Sequence, residues 1–135
     1  MSDENVEALK RGFGAYNRRD TEGLLEELDP EVELRASLEV MLGGDSTVYR
    51  GHEGIRDNLR DVAEFFAEFQ IEISDIRDLD ERIVAIGKLR GRGKESGAEV
   101  ETPIGYVVEF KNGKVIRIDD YLEPKEALEA AGLSE

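Results

Sequence analysis

Apolar residues near the start of the chain recur at three- and four-residue steps, a spacing that puts them on one face of a helix. This helix is expected over residues 4–19, with Ser2 or Asp3 as its cap. Its apolar stripe consists of Val6, Leu9, Phe13 and Tyr16. The same spacing predicts a longer helix that begins at Gly51 and has an apolar stripe of Ile55, Leu59, Val62, Phe66 and Phe69.

Between these two helices the pattern predicts a short helix and then a strand. The helix is expected over residues 21–28, with a cap from Asp20 or Thr21. Asp29-Pro30 ends it, because the residue before a proline disfavours helical backbone. Apolar and polar residues then alternate over residues 32–36, which is typical of a strand with one buried face.

The second half of the chain is mostly alternating, and it predicts a series of strands. A short edge strand at residues 47–49 follows a break at Gly43-Gly44-Asp45. Longer strands are expected at residues 70–74, 82–92, 98–110 and 115–122. Asn112-Gly113 predicts a hairpin turn between the last two strands, and Pro103 marks a sheet edge or a bulge.

A final helix has Pro124 in its first turn and Gly132 after its end. Helices followed by a run of strands predict an α+β fold rather than alternating parallel units. The 135 residues suit a single domain over residues 1–135.

Composition excludes several classes of function. The chain has no cysteine and one histidine, and it lacks a calcium-loop motif, so we expect no metal and no cofactor. The net charge of −14 disfavours nucleic acid, because such binding depends on cationic side chains. The acidic start lacks a signal core, and no long apolar stretch occurs, so we expect no membrane contact and a cytoplasmic location.

Three phrases, in this order, resemble the nuclear transport factor 2-like superfamily, and within it the SnoaL-like proteins related to polyketide cyclases. They are FGAYNRRD at residues 13–20, YRGHEGIR at residues 49–56 and GKVIRIDDY at residues 113–121. The resemblance implies a cone-shaped fold in which helices cover the concave face of a curved antiparallel sheet around a cavity. It also implies homodimers, often formed through the outer face of the sheet.

Counting residues along the last strand identifies a candidate catalytic carboxylate. Ile116, Ile118, Asp120 and Leu122 share one face, which is apolar except for Asp120. Desolvation raises the pKa of a carboxyl group and suits it to acid/base chemistry. In SnoaL-like cyclases an acidic residue at the matching place is the acid/base, so the resemblance implies this role for Asp120. The alternative is that Asp120 forms an ion pair with an arginine near the strand end.

The same counting on the preceding strand places Tyr106 beside Asp120, together with Ile104, Val108 and Phe110. A buried tyrosine hydroxyl needs a partner, and that of Tyr106 could orient a ligand or bond to Asp120. The alternative is a core tyrosine bonded to the backbone. The predicted ligand-binding residues are Tyr16, Leu34, Phe66, Val108, Ile118 and His52. His52 lies in the first turn of the long helix, where a structural role is the favoured alternative.

The chain departs from two related enzyme classes. The base aspartate of the steroid isomerases corresponds here to Leu34, and their helix-one tyrosine falls near Gly12. The epoxide hydrolases need an Arg-x-Asp pair on a middle strand, and residues 88–93 contain no aspartate. Both chemistries are therefore disfavoured.

Two functions remain open after these exclusions. The first is binding of a small, mostly apolar organic molecule, with acid/base isomerase, cyclase or hydrolase chemistry as one use of the pocket. The second is a non-enzymatic dimeric binding or interaction module with a side-chain-filled cavity. An open pocket of several hundred Å³ with convergent polar groups favours the first. A filled cone with a large apolar dimer face favours the second.

Overall fold

The structure is a computed structural model that describes residues 2–37 and 47–133. The break predicted at residues 43–45 lies outside the described residues. Four helices are described: α1 Ser2–Asn17, α2 Thr21–Glu26, α3 Gly51–Phe65 and α4 Pro124–Ala130. The strands are β1 Leu28–Ala36, β2 Thr47–Arg50, β3 Phe66–Leu79, β4 Arg82–Gly93, β5 Glu99–Lys111 and β6 Lys114–Tyr121. The predicted α+β class is confirmed.

The six strands form one curved, unclosed sheet in the order β2-β1-β6-β5-β4-β3. Every neighbouring pair is antiparallel except β1 and β6, which run parallel. The predicted edge strand at residues 47–49 is confirmed as β2. The hairpin at Asn112-Gly113 is also confirmed, and both residues have the positive φ that its tight turn requires, 52° and 79°.

The short helix α2 begins where predicted and ends early. The Asp20 side chain caps it by accepting a hydrogen bond from the Gly23 amide at 3.0 Å. The helix ends at Glu26, because the backbone at Leu28 already pairs with Val115 of β6. Strand β1 therefore begins four residues before the predicted residue 32 and includes Pro30.

The long helix α3 is shorter than predicted. Its apolar stripe continues in sequence to Phe66 and Phe69, but the helix ends at Phe65 and both phenylalanines belong to β3. The pairing of β3 with β4 is irregular between Phe66 and Glu68. Phe66 and Phe69 are therefore both buried although they are three residues apart, a spacing that imitates a helix.

A second irregularity changes one wall of the predicted pocket. In the pairing of β5 with β6, Arg117 is opposite Glu109 and Val115 is opposite Phe110, so Ile116 is an extra residue. The bulge turns Val115 rather than Ile116 toward the interior, and the prediction that Ile116 shares a face with Ile118 is wrong.

Two apolar clusters form on opposite faces of the sheet. The larger cluster lies between the inner face and α1, α2 and α3. In the smaller cluster, Ala127 and Leu128 of α4 pack on Val84 and Val107. Gly105 permits this contact, since a Cβ at that position would be 2.8 Å from the Ala127 Cβ. Helix α4 therefore covers part of the outer face rather than the concave face.

Candidate functional site

The inner face of the sheet and helices α1–α3 enclose a cavity of about 110 Å³. Its wall is almost entirely apolar. The contributing apolar side chains include Leu9 and Phe13 from α1, Ile55 and Val62 from α3, and Leu34, Phe69, Ile71, Leu89, Ile104, Val108, Val115 and Ile118 from the strands. This cavity is smaller than the several hundred Å³ that would favour the ligand-binding function, but side chains do not fill it. It therefore suits a compact ligand.

Asp120 lies on the cavity wall near the end of β6. Its Oδ1 accepts a hydrogen bond from the Ser37 amide at 2.5 Å, and the Ser37 hydroxyl donates to the Asp120 carbonyl at 3.0 Å. Burial raises the pKa of the Asp120 carboxyl to about 7, and the hydrogen bonds from Ser37 oppose this rise. Among the described residues no arginine or lysine forms an ion pair with Asp120, so the ion-pair alternative has no support there.

Tyr106 lies directly opposite Asp120 in the antiparallel pairing of β5 and β6, and it also lines the cavity. Its ring packs edge-to-face against Phe13, with 5.0 Å between the ring centroids. Tyr16 reaches the cavity from α1 and packs edge-to-face on Phe69 at 5.8 Å. Burial raises the pKa of both tyrosine hydroxyls, and the nearby Asp120 carboxylate adds to the rise. Both hydroxyls therefore remain protonated at neutral pH.

The other predicted ligand-binding residues divide into two groups. Leu34, Val108 and Ile118 line the cavity. Phe66 and His52 do not. Phe66 packs against Phe69 with 5.2 Å between ring centroids, behind the cavity wall. The His52 Nε2 lies 3.0 Å from the Leu28 carbonyl, a contact that connects the first turn of α3 to β1. This contact favours the structural role for His52.

Two cavity positions explain the departure from the steroid isomerases. Leu34 and Gly12 both line the cavity. They are the positions to which the resemblance assigns the isomerase base and the helix-one tyrosine. An apolar side chain and a hydrogen atom replace those two polar groups here. Asp120 is therefore the candidate acid/base on this wall.

Sequence reasoning missed Asn58, a buried polar residue on the cavity wall. Asn58 lies on α3, three residues after Ile55 and four before Val62, so it occupies the apolar face of that helix. This is the same signal that identified Asp120, a polar residue among apolar neighbours. Glu27 also lines the cavity, but both of its carboxylate oxygens accept hydrogen bonds from Arg11, at 3.0 and 3.1 Å.

The part of the outer face of β3, β4 and β5 that α4 does not cover is charged. Arg90 contacts Glu72 at 3.0 Å and Glu101 at 3.2 Å, and Arg92 contacts Glu68 at 2.7 Å. Within residues 2–37 and 47–133, no group of three histidine, aspartate or glutamate side chains is arranged to hold a metal ion. None of the helices in the same ranges has the length and apolar character needed to cross a membrane.

The fold is shared with several solved structures. An NTF2-like protein of unknown function from Burkholderia pseudomallei is 25% identical, with a TM-score of 0.81 over 96% of this chain and 97% of that one. TerC, co-crystallised with polyporic acid, is 22% identical, with a TM-score of 0.80 over 89% of this chain and 92% of that one. A proposed SnoaL-like polyketide cyclase from Jannaschia sp. is 16% identical, with a TM-score of 0.76 over 90% and 86%.

No protein of curated function matches the sequence. The family model of the SnoaL-like domain matches residues 9–118, a segment that runs from α1 into β6 and includes most of the cavity wall. With the six-stranded sheet and the solved relatives, this match confirms the resemblance found in the sequence: the chain belongs to the SnoaL-like family of the nuclear transport factor 2-like superfamily.

Proposed function

We propose that the cavity binds a small, mostly apolar organic molecule and that Asp120 exchanges a proton with it. The observation that carries this proposal is a lone aspartate on an apolar cavity wall, with a pKa raised by burial to about 7. At that pKa the carboxyl is populated in both forms near neutral pH, so it can donate or accept a proton. Such exchange suits an isomerisation, a cyclisation or a hydrolysis.

Tyr106 and Tyr16 supply hydrogen-bond donors for a ligand oxygen. Neither hydroxyl has a hydrogen-bond partner among the described residues, so a ligand does not have to displace a protein group. Tyr106 is opposite Asp120 in the pairing of β5 with β6, and Tyr106, Tyr16 and Asp120 all line the same cavity. A ligand oxygen that accepts from a tyrosine therefore lies near the carboxyl that exchanges the proton.

The wall also limits the size and charge of the ligand. A volume of about 110 Å³ favours a compact molecule over an extended polycyclic one. No arginine or lysine is among the described residues that line the cavity, so an anionic ligand would lose its hydration without a cationic partner. An uncharged molecule fits these conditions. The co-crystallisation of TerC with polyporic acid supports ligand binding as a use of this fold.

A thermal-shift screen of compact uncharged compounds tests the proposal. A ligand at one hundred times its Kd adds about 2.7 kcal/mol to the free energy of unfolding. For any compound that turns over, Asp120→Asn should abolish turnover and retain the fold. Asp119→Asn is the control, because Asp119 forms ion pairs with Arg117 and Arg35 away from the cavity. Unchanged turnover in Asp120→Asn would remove Asp120 from the mechanism.

The homodimer expected for this family forms part of the same proposal. A dimer through the outer face of β3–β5 would join two surfaces of ion-paired side chains, such as Arg90 with Glu72 and Glu101. Sedimentation velocity over a range of protein concentrations would measure whether this dimer forms. The described residues of this face offer no large apolar patch, so they do not favour the side-chain-filled interaction module.

A further inference from the structure

Asn58 is a buried amide in a place where the fold gives it no partner. Its exposed fraction is 7%, and its neighbours on the same helix face are Ile55 and Val62. No described residue donates a hydrogen bond to its side chain or accepts one from it. A buried amide without a partner is destabilising, so most buried polar groups in proteins are hydrogen-bonded.

The other asparagines packed into the fold follow that rule. Asn5, which is 6% exposed, donates from Nδ2 to the Asp80 carbonyl at 3.1 Å. Asn17 donates to the Ile71 carbonyl and accepts from the Ile71 amide, both at 2.9 Å. Asn5 connects α1 to the turn between β3 and β4, and Asn17 connects it to β3. Asn58 makes no such connection, so a structural hydrogen bond does not explain why an amide is buried at this position.

The cavity is the open space that the Asn58 amide faces. In the part of the chain that the structure describes, every side-chain nitrogen or oxygen that is fully enclosed has a hydrogen-bond partner. The Asn58 amide has none, so its polar atoms are not fully enclosed. Asn58 lines the cavity and is otherwise buried, so the cavity is the space they reach.

We propose that Asn58 is a ligand-binding residue whose amide binds a carbonyl or hydroxyl oxygen of the uncharged molecule held in the cavity. An amide offers two N–H donors and one acceptor and carries no charge, so it suits a neutral oxygen better than a carboxylate or an ammonium. The inference rests on the proposed function and deepens it, because it names an oxygen-bearing apolar compound as the ligand class.

The arrangement has a consequence for the protein without ligand. An amide that serves a ligand adds no hydrogen bond within the protein, so it does not stabilise the fold in the way that a partnered asparagine does. Replacing Asn58 with an apolar residue of similar size should therefore raise the melting temperature. The same replacement at Asn5 should lower it, since the Asp80 carbonyl would lose its donor. A higher melting temperature for the Asn58 variant and a lower one for the Asn5 variant would distinguish a ligand-binding amide from a structural one.

Acetophenone and α-methylstyrene are the probes. They have nearly the same shape, and only acetophenone has a carbonyl oxygen. Binding of each to the wild type, Asn58→Leu, Asn58→Ala and Asn5→Leu is measured by ligand-observed NMR titration, and melting is followed in the absence of ligand. The wild type should prefer acetophenone by about three- to tenfold, the value of one net hydrogen bond. Both Asn58 variants should lose this preference, and Asn5→Leu should keep it.

Four outcomes overturn the inference. If the wild type binds neither probe, the proposed binding function fails and the role of Asn58 fails with it. If the wild type binds both probes equally, or if the Asn58 variants keep the preference, the role of Asn58 alone fails. If Asn58→Leu melts below the wild type by as much as Asn5→Leu, the amide is structural. Asn58→Ala keeps the binding test available should Asn58→Leu fold poorly.

Discussion

Ser37 and Asp120 hold the end of β1 against the end of β6. The Ser37 amide donates to Oδ1 of Asp120 at 2.5 Å, and its hydroxyl donates to the Asp120 carbonyl at 3.0 Å. The bond from the amide fixes the carboxyl on the cavity wall. Hydrogen bonding from Ser37 also favours the charged form of the carboxyl, against the larger effect of burial, which favours the protonated form. Ser37 therefore holds the Asp120 carboxyl in position, and burial raises the pKa of that carboxyl to about 7.

The raised pKa makes the stability of the fold depend on pH. The pKa of Asp120 is about 7 in the folded protein and 3.8 for an ordinary aspartate, so the folded state binds the proton more tightly. This stabilisation is complete below about pH 4 and is lost as the pH rises through about 7. Asp120→Asn has no proton to lose, so it should gain stability relative to the wild type over this range, by at most about 4 kcal/mol.

Urea unfolding of both proteins from pH 4 to pH 8 measures this difference. The carbon-13 shift of the Asp120 carboxyl reports the folded-state pKa directly. An ordinary pKa near 4 in that titration, together with a constant difference in stability, would contradict the prediction.

The hydroxyl of Tyr106 should be dispensable for folding. It has no partner among the described residues, so Tyr106→Phe should not lower the free energy of unfolding. Tyr49→Phe is the control, because the Tyr49 hydroxyl donates to the Asp61 carboxylate at 2.7 Å. Loss of this hydrogen bond should lower the free energy of unfolding by about 1.5–3 kcal/mol. Equal losses in the two variants would show that Tyr106 is an ordinary core tyrosine.

The sequence pattern identified the two catalytic candidates because β5 and β6 pair regularly at Tyr106 and Asp120. Between Gly105 and Glu109, β5 pairs with β6 without irregularity, so counting alternate residues correctly puts Tyr106 and Asp120 on one face. The count fails at Ile116, where a bulge adds one residue. A bulge depends on pairing with another strand, and the local pattern does not contain that information.

The long helix shows a second limit of pattern reading. Phe66 continues the helical spacing of α3, but it starts β3, where pairing with β4 decides the backbone. The sheet thus overrides a locally consistent helical pattern. Asn58 is different, because its place on the apolar face of α3 could have been read from the sequence. His52 needed the tertiary contact with Leu28 before its structural role could be recognised.

His52 should matter for stability and not for ligand binding. Its Nε2 contacts the Leu28 carbonyl at 3.0 Å, and it does not line the cavity. His52→Ala should therefore reduce the free energy of unfolding by about 1 kcal/mol, the value of a typical hydrogen bond. The Kd of any cavity ligand should stay within about twofold of the wild-type value. A large rise in Kd with an unchanged melting temperature would restore His52 as a ligand-binding residue.

Gly105 should be needed for the docking of α4. A Cβ there would be 2.8 Å from the Ala127 Cβ, so Gly105→Val should displace α4. This substitution should lower the free energy of unfolding by about 1–3 kcal/mol. Hydrogen exchange should then accelerate in α4 and remain slow around Tyr106. Gly12→Ala is the contrasting variant, since a Cβ there meets Leu24 at an ordinary 3.8 Å inside a helix. Gly12→Ala should raise the free energy of unfolding by about 0.5–1 kcal/mol. Unchanged exchange in α4 would contradict the assigned role of Gly105.

The parallel pairing of β1 with β6 also governs when the cavity can form. Leu34 and Ile118, opposite each other on these strands, both line the cavity, and the bonded pair Ser37 and Asp120 is separated by 83 positions in the chain. Such distant segments must close a long loop before their contacts stabilise anything, which slows folding. During synthesis, β1 has no β6 to pair with until β6 has left the ribosome. A nascent chain that ends before β6 therefore holds Leu34 and Tyr106 without the wall that makes them a binding site.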